Sequence, residues 1–394
     1  MFEQLPALPQ DPILGLSVAY RADTNPLKVD LGIGVYKDES GHTPVLKAVT
    51  SAQQQYLSKE TSKAYMAPAG PAIANEALQT LIFGADRDST RIRTIQTPGG
   101  TGALRVAAEL VSRAAPGAAV WLSNPSWANH TPLMKDAGLQ VKEYPYYDAE
   151  AHQVDFKAMM STLAEAKKGD LVLLHACCHN PCGADLSQEQ WQAVADLAVK
   201  NEFTPFIDMA YQGFGSSLDD DAYGARLMAN SVPEVLVASS CSKNFGLYRE
   251  RAGTLSIVSD SAERADIAES QLLSVTRGIY SMPPSNGALI VETILTNPEL
   301  TEMWHKELDE MRGRIKGLRT LLAKKLAEKT SIKRDFSFIE QERGMFSFLG
   351  LSKEQVQTLK NDYSIYMVNS SRINIAGISQ DNVDYLASAI EAVL

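Results

Sequence analysis

The sequence predicts an α/β protein: a large domain with a mostly parallel mixed sheet flanked by helices, plus a smaller α+β domain. Strand-like and helix-like segments alternate over about 160 residues from Thr97 onward. After residue 260 the chain turns helical and closes with short strands between helices. Its 394 residues exceed the usual size of one hydrophobic core, so two domains are expected.

Residues 1–11 lack periodicity and carry two prolines, which reads as an N-terminal arm, flexible or partner-binding. Asp30 to Tyr36 reads as a short strand whose glycines let a ligand approach the backbone. Val45, Val49, Ala52 and Tyr56 are spaced as one face of a helix over 45–60. Prolines and a glycine make Lys63 to Pro71 a loop. T-P-G-G-T-G, Thr97 to Gly102, opens a helix to about Ala115. A-A-V-W-L-S is a strand, then N-P-S-W-A-N-H a loop. A helix follows over 131–138, a strand over Gln140 to Tyr146, a helix over 155–167 and the strand D-L-V-L-L-H. Ser187 with Gln190 forms a capping box for a helix to about Asn201. T-P-F-I-D is the next strand, then a helix near 220–230, the valine-rich strand Glu234 to Ser239 and the strand A-G-T-L-S-I-V-S. Pro283-Pro284 precedes a helix over 285–296, and Glu299 to Lys329 is a long amphipathic helix. Short strands are expected at Phe336 to Ile339, Met345 to Leu349 and Arg372 to Ile375, between two helices.

Apolar content of 45% with 21% charged residues describes a soluble globular chain rather than a disordered one. The net charge of −10 and the lack of a basic tract argue against nucleic acid and anionic membranes as partners. No apolar run approaches the ~20 residues that span a bilayer. The N-terminus lacks the basic and apolar regions of a signal peptide, so a cytoplasmic protein with reduced cysteines is expected. Three of the four cysteines fall in H-A-C-C-H-N-P-C, His175 to Cys182. Zinc is discounted there, because adjacent Cys177 and Cys178 on a strand point to opposite faces and no second ligand pair follows. Buried thiols on a central strand, and no metal, are expected.

The stretch Val237 to Gly253 carries the most chemistry. Lys243 ends a buried strand, and Arg251 follows eight positions later. Desolvation and a neighbouring cation lower a lysine's pKa and leave the neutral amine that a Schiff base needs. Ser240, Ser242 and Arg251 could hold a doubly charged phosphate. Pyridoxal phosphate, an aldehyde carrying a phosphate, fits both halves. Taken alone, the stretch reads equally well as a solvated strand-end lysine beside a surface arginine.

Other strand ends add to it. The glycines of T-P-G-G-T-G expose backbone N–H groups at a helix N-terminus, which suits phosphate. Asp208 ends T-P-F-I-D, where a carboxylate could keep a pyridine nitrogen protonated; a helix N-cap is the alternative. Tyr211 and Asn180 could reach a phenolic oxygen, and Trp127 could stack on a planar ring.

Together, T-P-G-G-T-G-A-L-R, S-N-P-S-W-A-N-H, C-C-H-N-P-C-G, D-M-A-Y-Q-G-F and S-S-C-S-K-N-F-G-L-Y-R-E-R resemble the class I aminotransferases of fold type I. The likeness is greatest to the bacterial aspartate and aromatic amino acid enzymes. It extends over the whole chain, from D-P-I-L-G-L at 11–16 to G-M-F-S-F. The resemblance implies a pyridoxal phosphate enzyme with Lys243 as Schiff-base lysine and proton carrier. Asp208 is then the partner of the pyridinium nitrogen, Tyr211 and Asn180 hold the phenolic oxygen, and Trp127 stacks on the ring. Gly100, Thr101, Gly102, Ser240 and Arg251 hold the phosphate. It also implies a homodimer with shared sites: Tyr65 reaches the neighbouring subunit's phosphate, and Arg277 crosses to a substrate's side-chain carboxylate. Arg372 clamps the α-carboxylate, and Gly34 lies at the substrate mouth. The implied layout is a small domain of 12–43 plus 311–394 and a large domain of 44–310. The implied reaction is ping-pong transfer from L-aspartate to 2-oxoglutarate, with aromatic donors as the alternative. Four residues depart from the family pattern: Cys182, Cys241, Met282 and Ala64. The last two make the substrate-facing region less polar, whereas Val35, Lys37, Thr43 and Thr101 look like the aspartate form.

Overall fold

A computed structural model describes residues 1–7, 12–329 and 331–394. Residues 8–11 of the expected arm, including Asp11 of D-P-I-L-G-L, lie outside the described residues. The chain divides into two compact units. The larger holds Pro44–Asn180 and Ala184–Gly313; the smaller holds Met1–Thr43, Pro181–Gly183 and Arg314–Leu394.

The larger unit is built on a seven-stranded sheet. Its strands in chain order are β1 (Ile92–Pro98), β2 (Ala119–Asn124), β3 (Gln140–Pro145), β4 (Leu171–His175), β5 (Thr204–Met209), β6 (Val235–Ser240) and β7 (Ala252–Val258). Their spatial order is β1-β7-β6-β5-β4-β2-β3. The run β6-β5-β4-β2-β3 is parallel throughout, and β7 is antiparallel to both β6 and β1. The continuous apolar text of β4 and β6 follows from burial on both faces, which parallel strands under helices require. Val120, Leu173, Phe206, Ala238 and Leu255 pack with Leu104 and Ala107 of the helix Gly99–Ala114 into one core. The predicted capping box is formed: Ser187 accepts from the Gln190 N–H at 3.2 Å and the Gln190 side chain accepts from Ser187 N–H at 2.9 Å. It starts the helix Gln188–Asn201. Asn124, His175, Asp208 and Ser240 thus come to the same, carboxyl edge of the parallel strands, where this architecture binds ligands.

In the smaller unit Val29–Asp30 pairs in parallel with Ile365–Tyr366, and Phe346–Phe348 runs antiparallel to Arg372–Asn374. Two expected strands are corrected here. Asp30 to Tyr36 is extended strand only at Val29–Asp30. Beyond it the backbone is held by side chains instead of a ladder: Arg372 donates to Gly32 O, and Asn374 donates to Ile33 O and Val35 O. Phe336 to Ile339 is not a strand either. The Asp335 carboxylate accepts from Ser337 N–H, a local turn that leads into the short helix Phe338–Gln341. The helix expected over 155–167 is shorter, Phe156–Leu163.

Candidate active site

Lys243 follows β6, with its Nζ 4.7 Å from the centre of the Tyr211 ring. Burial lowers its pKa to about 8; Asp208 pulls the other way, and Arg251 lowers it further. At neutral pH an appreciable fraction of this amine is therefore uncharged.

Beside it the chain forms an anion cup. Helix Gly99–Ala114 has no side-chain cap on its first turn, so its leading N–H groups face outward with the positive end of the helix dipole. Arg251 lies against that turn: a Cβ on Gly99 would sit 2.5 Å from its Nη2. Gly99 also has φ +69, so glycine is required there on both counts. A Cβ on Gly100 would meet the Ser240 Cβ at 3.2 Å. Ser240 Oγ lies 3.0 Å from Ser242 Oγ, and Arg251 Nη1 donates to Ser242 Oγ at 3.4 Å. Thr101 and Gly102 continue the same first turn. Backbone N–H groups, two hydroxyls and a guanidinium thus converge where a phosphate dianion can be held.

On β5, Asp208 is no helix cap. It lies in the strand, opposite His175 of β4. Its Oδ2 is 2.9 Å from His130 Nε2, and both side chains are buried. Burial raises the Asp208 pKa, but the His130 hydrogen bond, with His130 and Lys243 close by, outweighs it, so the group stays below the ordinary carboxylate range. His130 Nδ1 is 2.8 Å from Ser126 Oγ, which is 3.3 Å from His175 Nε2. Burial, with His130 nearby, lowers the His175 pKa to about 3, so that ring is neutral. His179 is likewise held neutral by burial, stacked on Tyr146 at 4.1 Å and 3.0 Å from Ser123 Oγ. Trp127 packs edge-on to His130 at 5.2 Å. Asn180 and Tyr211 are buried near the same strand edge. Sequence reasoning missed the histidines, although His130 ends N-P-S-W-A-N-H and His175 ends its strand, positions that could have signalled them.

Of the remaining site candidates, two belong to the larger unit and two to the smaller. Tyr65 is 96% exposed on its loop. Arg277 is exposed in the last turn of the helix Ala262–Ile279, donating to Ser281 Oγ at 2.7 Å. In the smaller unit Arg372 is buried, with its guanidinium 4.3 Å from the Phe346 ring centre. Gly34 meets the same ring: a Cβ there would approach Phe346 to 2.7 Å.

The vicinal cysteines do not follow the strand geometry expected of them. Cys177 and Cys178 lie past the end of β4, and Cys178 has φ +51. The alternation of strand faces therefore does not apply, and both sulfurs come together with an Asp221 oxygen.

The carboxyl edge of the parallel strands thus combines an anion cup, a lysine of lowered pKa and a carboxylate hydrogen-bonded to histidine. The family model "Aminotransferase class I and II" matches residues 26–390. An aspartate aminotransferase of Salmonella typhi is 50% identical, with full coverage of both chains. An aromatic-amino-acid aminotransferase of Paracoccus denitrificans is 47% identical, with 96% of each chain covered. Among solved structures, an aromatic-amino-acid aminotransferase from Burkholderia pseudomallei, covalently bound to pyridoxal phosphate, superposes with a TM-score of 0.98. It is 44% identical and covers 100% of this chain and 99% of its own. The chain belongs to the class I and II aminotransferases. Its fold is the fold type I architecture expected from the sequence.

Proposed function

We propose that this enzyme binds pyridoxal phosphate and moves the amino group of L-aspartate to 2-oxoglutarate, giving oxaloacetate and glutamate by a ping-pong route. The observation that carries it is the pairing of the anion cup with Lys243, an amine of pKa about 8 at the adjoining strand end. The residues present fit the cofactor. Gly100, Thr101, Gly102, Ser240, Ser242 and Arg251 would hold its phosphate, Trp127 its ring face, Asn180 and Tyr211 its phenolic oxygen. When bound, pyridoxal phosphate supplies a conjugated sink for the electron pair left on the substrate Cα.

Within this reading each side chain has a defined task. Neutral Lys243 Nζ accepts the substrate Cα proton and carries it as an ammonium until it is returned two atoms along, beyond the nitrogen. Asp208 is kept ionised by His130, and its carboxylate holds a proton on the ring nitrogen opposite. Arg372 takes the substrate α-carboxylate in a bidentate fork. The larger unit is the cofactor-binding domain, and the smaller one supplies Arg372.

We also infer a cytoplasmic homodimer. A tyrosine 96% exposed on a loop and an exposed Arg277 are what cross-subunit roles require of them. Among the described residues no helix is long and apolar enough to cross a membrane. Aromatic donors are a second reading, favoured by apolar Met282, a few positions after Arg277 in the chain, and by Ala64 next to Tyr65. The test is kcat/KM for aspartate, tyrosine and phenylalanine with 2-oxoglutarate. A tyrosine or phenylalanine value well above that for aspartate would replace the first reading by the second. Lack of turnover with all three would remove both.

A further inference from the structure

We propose that Cys177, Cys178 and Asp221 form a binding site for one thiophilic divalent cation, Zn²⁺ or Cd²⁺, separate from the groups assigned to transamination. Their ligand atoms, two sulfurs and a carboxylate oxygen, all lie within 4.8 Å of one another. A tetrahedral zinc with Zn–S of about 2.3 Å and Zn–O of about 2.0 Å holds its sulfurs about 3.8 Å apart and each about 3.5 Å from the oxygen, so the three groups need close by no more than about 1.3 Å.

The chain builds this arrangement on two anchored turns. After β4 the backbone turns left-handed at Cys178, with φ +51, which brings neighbouring thiols to one side. The N–H groups of Cys178 and His179 donate to Asp185 at 2.7 and 2.8 Å and fix that turn. Across from it, Asp221 accepts from the N–H groups of Gly213, Gly215 and Ser216 at 2.8, 2.9 and 2.9 Å. A carboxylate offers about four acceptor positions, so three amide bonds leave one for a cation. Among the described residues no side-chain cation forms an ion pair with Asp221, although it is only 3% exposed. Arg312 is the charge that faces it, at longer range. A dication is the counter-charge such a buried carboxylate lacks. Both thiols are buried as well, and Cys177 hydrogen-bonds with Cys178. Two thiolates with one carboxylate favour a soft or borderline ion over Mg²⁺ or Ca²⁺.

Binding breaks two S–H bonds and releases two protons to solvent. Two metal–sulfur bonds and one metal–oxygen bond form, and water takes the fourth position. No oxidant or reductant is involved.

The test uses the pyridoxal phosphate-loaded protein, with all four thiols verified by titration of a denatured sample, equilibrated with Cd²⁺ in thiol-free buffer. The expected result is one Cd²⁺ per chain, an ultraviolet sulfur-to-cadmium charge-transfer band, two protons released per ion and a raised Tm. Cys177→Ser and Cys178→Ser should each weaken binding roughly 100-fold and Asp221→Asn roughly 10-fold. Cys241→Ser should leave binding unchanged. Alanine versions of the two cysteine variants replace any serine variant whose circular dichroism departs from wild type. Less than stoichiometric binding, or full binding after both thiols are removed, overturns the proposal. So does a loss in Cys241→Ser equal to that in Cys177→Ser. These readouts do not depend on transamination, so their failure leaves the reading of the enzyme untouched.

Discussion

His130 Nε2 stands 2.9 Å from Asp208 Oδ2, and this contact joins the first residue of the helix His130–Asp136 to a strand-end carboxylate 78 positions away. It explains how a buried aspartate stays ionised, since burial alone would drive it neutral. A hydrogen bond to a charged group contributes about 1.5–3 kcal/mol. His130→Ala should therefore lower kcat roughly 10–100-fold. His130→Asn, which can still donate, should recover part of it. Steady-state kinetics of both variants check this; an unchanged kcat in His130→Ala would make the contact structural only.

The Lys243 pKa predicts a pH effect on the cofactor-free protein. It is lowered from 10.5 to about 8, so the folded chain binds its proton less tightly than the unfolded chain. This penalty is complete below pH 8 and is relieved as pH rises toward 10.5. Lys243→Met removes it and should raise stability by up to ~3 kcal/mol at pH 7. The gain over wild type should shrink as pH climbs above 8, measured by urea unfolding at each pH. A gain that grows with pH would contradict the depressed pKa. The same variant should lose transamination entirely.

Gly99→Ala should disturb the anion cup twice over. The residue has φ +69, and the new Cβ would press on Arg251. A stability loss of more than about 1 kcal/mol is expected, with weaker retention of pyridoxal phosphate. Gly117→Ala is the control: its φ is +82, but nothing lies within 4 Å of the added Cβ. It should lose stability through strain while holding the cofactor normally. Equilibrium dialysis and thermal melts separate the two effects.

Arg277 should matter for dicarboxylic donors alone. Arg277→Leu is expected to reduce kcat/KM for aspartate by roughly two orders of magnitude, the scale of losing one charged, hydrogen-bonded pair. Phenylalanine should change little or improve, because its ring brings no second charge. Single half-reactions are needed, since 2-oxoglutarate is itself a dicarboxylate. Arg372→Leu should harm both donors. Equal losses for both donors in Arg277→Leu would assign that residue a structural role.

The proposed cross-subunit roles of Tyr65 and Arg277 can be tested by mixing. An inactive Lys243 variant combined with an inactive Tyr65 or Arg277 variant should regain activity as subunits exchange, because some hybrids then hold one intact site. Heterodimers that form without regaining activity would count against the shared site.

Much of this protein was legible in its sequence because the signals are local. Apolar runs of four to six residues between turn residues mark β4 and β6, and Ser187 with Gln190 marks a helix start. Lys243, Asp208 and the glycines of Thr97 to Gly102 stand out because each follows or ends a strand in an alternating α/β pattern. What the tertiary structure alone decided are pairings between distant residues and departures from regular backbone. No periodicity points from His130 to Asp208, and the burial that makes His175 and His179 neutral exists only in the packed sheet. The segment Asp30 to Tyr36 looks like a strand, yet Arg372 and Asn374, more than three hundred positions later, take its carbonyls. Cys177 and Cys178 look like opposite faces of a strand until a left-handed Cys178 sets both beside Asp221. Local sequence determines which conformations a segment favours; which groups then meet is decided by the contacts that satisfy buried polar atoms across the fold.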